Sequence, residues 1–306
     1  MKPVKLLAAA MAFAGIAHVA EAPVTSYELT LVDMQGQKKV LATLPGSVFA
    51  PRVSPDGTRV AFEMTEAGET AADAPRTRIQ VAPLDDLEKR EALQITVTTK
   101  RNVAPVWAPE SDRIAFVATG NSSDMLFWQR ADGGEQPTYL VDGRAAEGIY
   151  PDGRMVFITR TDNGDYGISA INLKTKEVTR LVDLPGSEQH SSHISRDGRW
   201  IAYTSNETGR HEVWAEPLPQ TGRRFQLTRQ GGAHPLWSPD GSSIYFDRDG
   251  SMLRLDVKVN GDALQAGEAV QLPISGFQQG PLRRQYDLLP DGRGFVMLFP
   301  VAPGAN

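Results

Sequence analysis

The sequence predicts an all-β fold, a six-bladed β-propeller made of four-stranded blades. One turn motif recurs along most of the chain at intervals of 42 to 54 residues, close to the repeat length of propeller blades. Short β-rich stretches flank each copy, and the 28 glycines and 21 prolines are scattered as many tight turns require. Two strands near each end of the chain are left over from complete units. The two pairs together make up one blade, so we expect the last blade to contain strands from both termini.

The N-terminal residues have the pattern of a secretory signal peptide. Met1 to Lys5 carries two positive charges, and an alanine-rich apolar run follows as far as Ala17. That run is too short to cross a bilayer as a helix. Ala20-Glu21-Ala22 has the small-x-small form of a cleavage site, and Gly15-Ile16-Ala17 is a second candidate. We predict a signal peptide over 1–22, one propeller domain over 23–306, a periplasmic or secreted location and no membrane span.

The strands that we expect to share the last blade lie at 27–32 and 39–44 on the N-terminal side, and at 286–289 and 294–299 on the C-terminal side. Their pairing would close the ring and protect strand edges that would otherwise be open. Five complete blades and this shared blade make up the predicted six.

The recurring turn is of the type Ser-Pro-Asp-Gly. Proline presets φ, aspartate bonds back to nearby backbone and glycine tolerates a positive φ, so the motif favours a hairpin between two strands. Five copies are clear, namely Ser54-Pro55-Asp56-Gly57, Tyr150-Pro151-Asp152-Gly153, Ser195-Arg196-Asp197-Gly198, Ser238-Pro239-Asp240-Gly241 and Leu289-Pro290-Asp291-Gly292. A weaker copy is Ala108-Pro109-Glu110-Ser111.

Each unit continues beyond its turn with further strands. An apolar stretch precedes the turn, a β-rich stretch follows it, and two more strands come next, as at 212–216 and 225–228 in the fourth unit. This content is that of one propeller blade. The longest non-strand insertion, 63–75, is predicted to be an outer loop between the second and third strands of the first unit.

The Ser-Pro-Asp-Gly hairpins resemble the TolB-like β-propeller repeat family over nearly the whole mature chain, from about Tyr27 to Phe299. The stretch from Ser205 to Trp214 resembles a blade of the propellers fused to bacterial serine/threonine kinases. The resemblance implies a six-bladed ring whose funnel mouth accepts a protein or peptide of the cell envelope, as TolB accepts the peptidoglycan-associated lipoprotein.

Composition and missing motifs exclude several classes of function. A net charge of −5 argues against a nucleic-acid partner, and the absence of cysteine excludes disulfides, thiolate metal sites and thiol nucleophiles. Neither a Gly-x-Ser-x-Gly elbow, nor a Walker-type phosphate loop, nor a His-Glu-x-x-His zinc motif is present. We therefore expect a monomeric binding module that is not an enzyme and needs no cofactor.

The candidate binding residues are polar or aromatic residues that precede the turns on the innermost strands, where they would line the channel mouth. They are Arg52, Glu147, His190, His193, His234, Arg284 and Tyr286. An alternative is a metal-assisted carbohydrate lyase or hydrolase in which His190, His193 and His234 hold a divalent metal ion, because imidazole is a frequent ligand. A third hypothesis is a sensor module derived from a kinase-linked propeller.

Overall fold

The computed structural model describes residues 26–66, 76–92, 101–119 and 123–301. Over these ranges the chain is all-β, with one short 3-10 turn, η1 (Leu87–Lys89), and no α-helix. The predicted signal peptide lies outside the described residues, as does most of the predicted loop at 63–75. The loop prediction was wrong for residues 63–66, because the second strand of the first unit continues to Glu66, which pairs with Arg76 of the third strand.

Twenty-four strands are formed by the described residues. In chain order they are β1 (Ser26–Asp33), β2 (Lys38–Pro45), β3 (Ser47–Val53), β4 (Arg59–Glu66), β5 (Arg76–Pro83), β6 (Glu91–Ala92), β7 (Arg101–Trp107), β8 (Arg113–Thr119), β9 (Asp124–Arg130), β10 (Thr138–Asp142), β11 (Ala145–Ile149), β12 (Arg154–Arg160), β13 (Tyr166–Asn172), β14 (Val178–Val182), β15 (Gln189–Ile194), β16 (Trp200–Ser205), β17 (Glu212–Pro217), β18 (Phe225–Gln226), β19 (Ala233–Trp237), β20 (Ser243–Arg248), β21 (Ser251–Asn260), β22 (Ala263–Ser275), β23 (Tyr286–Leu288) and β24 (Gly294–Pro300).

Consecutive strands pair antiparallel in groups of four. Strands β11–β14, β15–β18 and β19–β22 each form a separate four-stranded sheet. Strands β3–β6 and β7–β10 form two such groups, which a single parallel bridge between Thr77 and Arg101 joins into one eight-stranded sheet. We call each group of four a unit and number the units in chain order from the unit of β3.

Strands from both ends of the described chain form the remaining sheet. Its order is β2-β1-β24-β23, so β1 pairs with both β2 and β24. Leu29 of β1 lies opposite Leu298 of β24, and both side chains are fully buried. We count this sheet as the sixth unit and call it the shared sheet.

Apolar clusters fill the space between neighbouring units. In one of them Leu29 and Leu298 of the shared sheet pack with Val48 and Phe62 of the first unit. In another, Tyr245 of the fifth unit packs with Phe295 of the shared sheet, their rings edge to face at 5.3 Å. The core is therefore distributed between the sheets, which is how a propeller-type domain buries its apolar surface.

The turn motif has the same backbone in every unit. The residue in its last position donates its N–H to the carbonyl of the first, as Gly241 does to Ser238 at 2.9 Å. That last residue has a positive φ, 71° at Gly241, which explains the recurring glycine. Ser111 takes the same conformation in the weaker copy, with a φ of 62°.

Candidate functional site

The strand that precedes the turn in each unit, which is β23 in the shared sheet, contacts the corresponding strand of a neighbouring unit. We call these strands the first strands and the space between them the channel. In β3, β7, β11, β15 and β19 the register shifts a few residues before the turn, which marks a β-bulge. Ala50, Ala104, Ser191 and His234 have a φ of 50° to 56° at these bulges. Non-glycine residues adopt such angles at a cost, so neighbouring contacts must hold them.

Side chains of adjacent units supply those contacts. The N–H of Ala104 donates to Glu63 Oε1 at 2.7 Å, and the N–H of Ala50 donates to Gln285 Oε1 at 2.9 Å. The N–H of His234 donates to Thr204 Oγ1 at 2.9 Å. In each pair the accepting side chain lies outside the unit of the bulge residue. The backbone that faces the channel is thus fixed by buried polar side chains, which makes its shape rigid.

His193 is one of these fixing side chains. Its Nδ1 accepts the backbone N–H of Trp237, on the first strand of the next unit, at 3.1 Å. Burial lowers the pKa of His193 to about 3, and the positive charges of Arg284 and Arg52 lower it further in the same direction. The imidazole is therefore neutral and committed to a structural hydrogen bond.

His190 and His234 lie close together, with ring centroids 6.0 Å apart. His211 joins them, its ring centroid 5.0 Å from that of His190. His234 Nδ1 donates to Asp247 Oδ2 at 2.7 Å, while His190 Nδ1 donates to Ser191 Oγ at 2.9 Å. Burial, followed by the neighbouring imidazoles, holds the pKa of His190 well below its ordinary value.

The histidines thus divide differently from the grouping that the sequence suggested. His190 and His234 meet, His193 is not part of their ring cluster, and His211 is the additional member. His211 lies in the loop between β16 and β17. This loop is at the same end of the sheet as the beginning of β15, so the strand order could have indicated that His211 lies near His190. Across the described ranges, no three His, Asp or Glu side chains are placed to hold a metal ion.

Two arginines and one glutamate among the sequence-predicted residues are also buried and near one another. Arg52 Nη1 donates to the carbonyl oxygens of Pro51 at 2.7 Å and Arg284 at 3.3 Å. Burial and the positive charge of Arg284 lower the pKa of Arg52 to about 10. Arg284 is only 5% exposed, and its ion pair with Asp287 is long, at 3.9 Å. Glu147 accepts the N–H of Ser192, and burial raises its pKa.

Tyr286 connects the arginines to the histidine cluster. Its hydroxyl donates to the carbonyl of His234 at 2.8 Å, across the boundary between the fifth and sixth units. The side chain is fully buried, and burial together with the negative charge of Asp247 raises its pKa well above the ordinary value. Tyr286 therefore holds two units together at the channel wall.

One end of the channel is crossed by residues 277–285, which connect β22 to β23 and which we call the crossing segment. The carbonyl of Leu282 accepts the hydroxyl of Ser191 in the fourth unit at 3.1 Å, and Arg283 pairs with Glu63 in the first unit. Leu282 and Arg283 also line a cavity of about 410 Å³ with residues of the second and third units. This segment lies where the first strands begin, and the turn motif did not reveal it because it carries no repeat.

The opposite end of the channel, where the first strands end, opens between the turns. We call it the turn-side mouth. A cavity of about 390 Å³ lies there, and turns or adjoining strand residues of all six units line it. Its lining is Val53, Pro55, Pro109, Ile149, Tyr150, Pro151, His193, Ile194, Arg196, Leu236, Trp237, Ser238, Pro239, Asp287, Leu288, Leu289 and Pro290. Of the seven sequence-predicted binding residues, only His193 is among them.

A family model described as the TolB beta propeller domain matches residues 15–215 and 75–281 of the chain. A Tol-Pal system protein TolB from Ruthia magnifica is 29% identical over 104 residues, which are 32% of this chain and 24% of that protein. An uncharacterised protein from Agrobacterium fabrum is 30% identical over 175 residues, 53% of this chain and 56% of that protein. The chain thus spans about a quarter of the length of the first relative and just over half of the length of the second.

Among solved structures, a protein assigned as a TolB from Agrobacterium tumefaciens superposes with a TM-score of 0.67. The superposition covers 90% of this chain and 99% of that one, at 18% sequence identity. At that identity the likeness concerns the fold. It agrees with the arrangement of sheets around a channel described above.

Proposed function

Because the chain belongs to the TolB β-propeller domain family, we propose that it is a binding module that recognises a protein or peptide of the cell envelope at the turn-side mouth and makes or breaks no bond. The observation that carries the proposal is the cavity at this mouth, to which all six units contribute. A concave, largely apolar surface built by a rigid frame is typical of a recognition site.

The contrast between the two ends of the channel supports this choice of mouth. The crossing segment spans the end where the first strands begin, and its hydrogen bond to Ser191 and ion pair with Glu63 hold it in place. At the turn-side mouth no comparable part of the described chain intervenes, and the half-buried Ile149, Leu288 and Leu289 line the cavity.

We propose that the six units form a closed ring of six blades. Polar contacts support this at most boundaries, including Trp237 to His193 between the fifth and fourth units and Tyr286 to His234 between the sixth and fifth. The bond from the N–H of Ala50 to Gln285 joins the first unit to the sixth. Closure by strands from both ends of the described chain completes the sixth sheet and suits a monomer.

We also propose that the protein is exported to the periplasm or secreted. The charged start and short apolar run of residues 1–22 support export. In the described ranges no helix is long and apolar enough to span a membrane. The relative named as a Tol-Pal system protein supports a partner in the cell envelope.

The proposal is tested by crosslinking and affinity capture with the tagged, full-length protein in its native bacterium. The informative variant is Ile149→Glu, which places a charge in the apolar lining of the mouth. Val270→Glu is the matched control, since Val270 is 54% exposed on an outer strand. We expect one defined envelope protein to be captured by the wild type and by Val270→Glu but not by Ile149→Glu. Equal capture by Ile149→Glu would contradict the proposed site.

A further inference from the structure

The six copies of the turn present different residues to the turn-side mouth. In five copies the second position is proline, and all five of those prolines line the cavity, namely Pro55, Pro109, Pro151, Pro239 and Pro290. The fourth unit has Arg196 in this position, and Arg196 lines the same cavity. Proline is favoured there because it presets φ for the turn, so the arginine contributes nothing that the turn itself needs.

Arg196 brings an uncompensated positive charge to the mouth. Its side chain is exposed, and no described residue forms an ion pair or hydrogen bond with it. Other arginines in the turns behave differently, since Arg293 pairs with Asp291 of its own turn at 3.1 Å. Asp197, the neighbour of Arg196, is occupied by its own turn and accepts the hydroxyl of Ser195 at 2.6 Å.

Two buried arginines also lie in the channel beneath the mouth, near acidic side chains that offset their charge. Asp287 lines the cavity, accepts the N–H of Val53 at 3.0 Å and is 3.9 Å from Arg284. Two guanidinium groups, those of Arg52 and Arg284, share this one nearby carboxylate, and the Nε atom of each is buried with no hydrogen-bond partner among the described residues. The buried Glu147 carboxyl also faces both arginines, and the Glu63 carboxyl faces Arg52. Arg196 is therefore the arginine of the mouth whose charge is not offset, and an uncompensated charge in a cleft with apolar walls attracts ligands of the opposite sign.

We propose that the turn-side mouth binds a peptide segment that carries an acidic side chain next to apolar residues. The apolar residues contact the proline rings together with Ile149 and Leu289, and the carboxylate pairs with the guanidinium of Arg196, which suits bidentate contact. This inference rests on the proposed function, and it adds the chemistry of the partner and the residue that selects it.

Three pools of dye-labelled, end-blocked hexapeptides test the ligand chemistry. The pools share randomised leucine, phenylalanine, proline, glycine and serine positions and differ in one fixed residue, which is glutamate, glutamine or lysine. We expect the full-length protein to bind the glutamate pool about fivefold more tightly than the glutamine pool, the size of one exposed ion pair. Arg196→Glu should lose this preference and favour the lysine pool.

Arg199→Glu is the matched control. Arg199 is an exposed arginine directly after the same turn, but it does not line the mouth cavity. It should keep the preference for glutamate, and added salt should reduce that preference in both proteins. Equal binding of the three pools by the wild type, or binding of none, would overturn the inference. Suppose that Ile149→Glu no longer captures the envelope protein but Arg196→Glu still does. The mouth then remains the binding site, and only the proposal of an acidic ligand is overturned.

Discussion

Polar side chains at the channel wall hold neighbouring units together. His193 and Glu63 each accept a backbone N–H of the next unit, and Tyr286 donates to a carbonyl of the fifth unit. Loss of such a side chain leaves its backbone partner without a hydrogen bond, which costs free energy. Substitutions at these residues should therefore be measured first as changes in stability.

His193 should make the protein sensitive to acid. Its pKa is about 3 when folded and about 6.5 when unfolded, so below pH 6.5 the unfolded chain takes up a proton that the folded chain does not. The free energy of unfolding should thus fall with decreasing pH between 6.5 and 3, by at most about 1.4 kcal/mol per pH unit from this group. His193→Asn keeps an acceptor for Trp237 and removes the titration.

Urea unfolding of both proteins at several values between pH 7.5 and 4.5 checks this expectation. The difference in unfolding free energy between wild type and His193→Asn should shrink or change sign as the pH falls. Glu63 and Glu147, whose raised pKa values act in the opposite direction, are present in both proteins and cancel in the difference. Parallel pH curves would show that folding does not lower the pKa of His193.

Glu63 offers a second test, because it supports both a bulge and the crossing segment. It is 1% exposed, accepts the N–H of Ala104 and pairs with Arg283. Glu63→Leu removes both contacts and should lower the free energy of unfolding by about 3 kcal/mol. Glu63→Gln keeps an acceptor for Ala104 and should cost less. Denaturant titration compares the two, and a Glu63→Leu variant within about 0.5 kcal/mol of wild type would contradict the role.

The candidate residues were predictable by position but not by role. Their spacing from the turn motif indicated that His190, His193 and His234 precede the turns on first strands, and they do. Which way each imidazole faces depends on the bulges, and a one-residue change of register reverses the face of a side chain. The sequence pattern does not encode that shift, so the separation of His193 from the other two histidines could not be foreseen.

At the scale of elements, the turns were the most predictable part. Residues with a mechanistic preference for each turn position recur in most units, and the structure confirms the strands that they were expected to join, such as β19 and β20. The crossing segment was not predictable, because a connection without a repeat or a strand pattern has no local signature. Its path is fixed by long-range contacts such as that of Leu282 with Ser191.

The glycine of a turn motif should be required for its backbone alone. Gly241 has a φ of 71°, and a Cβ atom placed on it would meet nothing within 4 Å. Gly241→Ala should therefore lower the free energy of unfolding by about 1–2 kcal/mol through the left-handed conformation, without any steric clash. Gly241→Asn should lose less, because asparagine tolerates that conformation. Thermal or urea unfolding of both variants checks this, and equal losses would point to a clash instead.

For the whole molecule, the shared sheet decides whether the units act as one cooperative structure. Leu29 of β1 is fully buried against Leu298 and the first unit, so Leu29→Ala should cost about 2–5 kcal/mol. All five tryptophans lie in other units, at Trp107, Trp128, Trp200, Trp214 and Trp237. Their fluorescence therefore reports on parts of the molecule that the substitution does not touch.

If the ring is closed through the shared sheet, unfolding should be a two-state transition that is the same for every probe. Leu29→Ala should then lower the unfolding midpoint measured by tryptophan fluorescence as much as the midpoint measured by far-ultraviolet circular dichroism. Val40→Ala is the control, since Val40 is 46% exposed on the same sheet and its loss should change stability by less than about 0.5 kcal/mol. An unchanged fluorescence midpoint would mean that the shared sheet melts by itself. The remaining units would then hold together without it, and the shape of the turn-side mouth would not depend on closure.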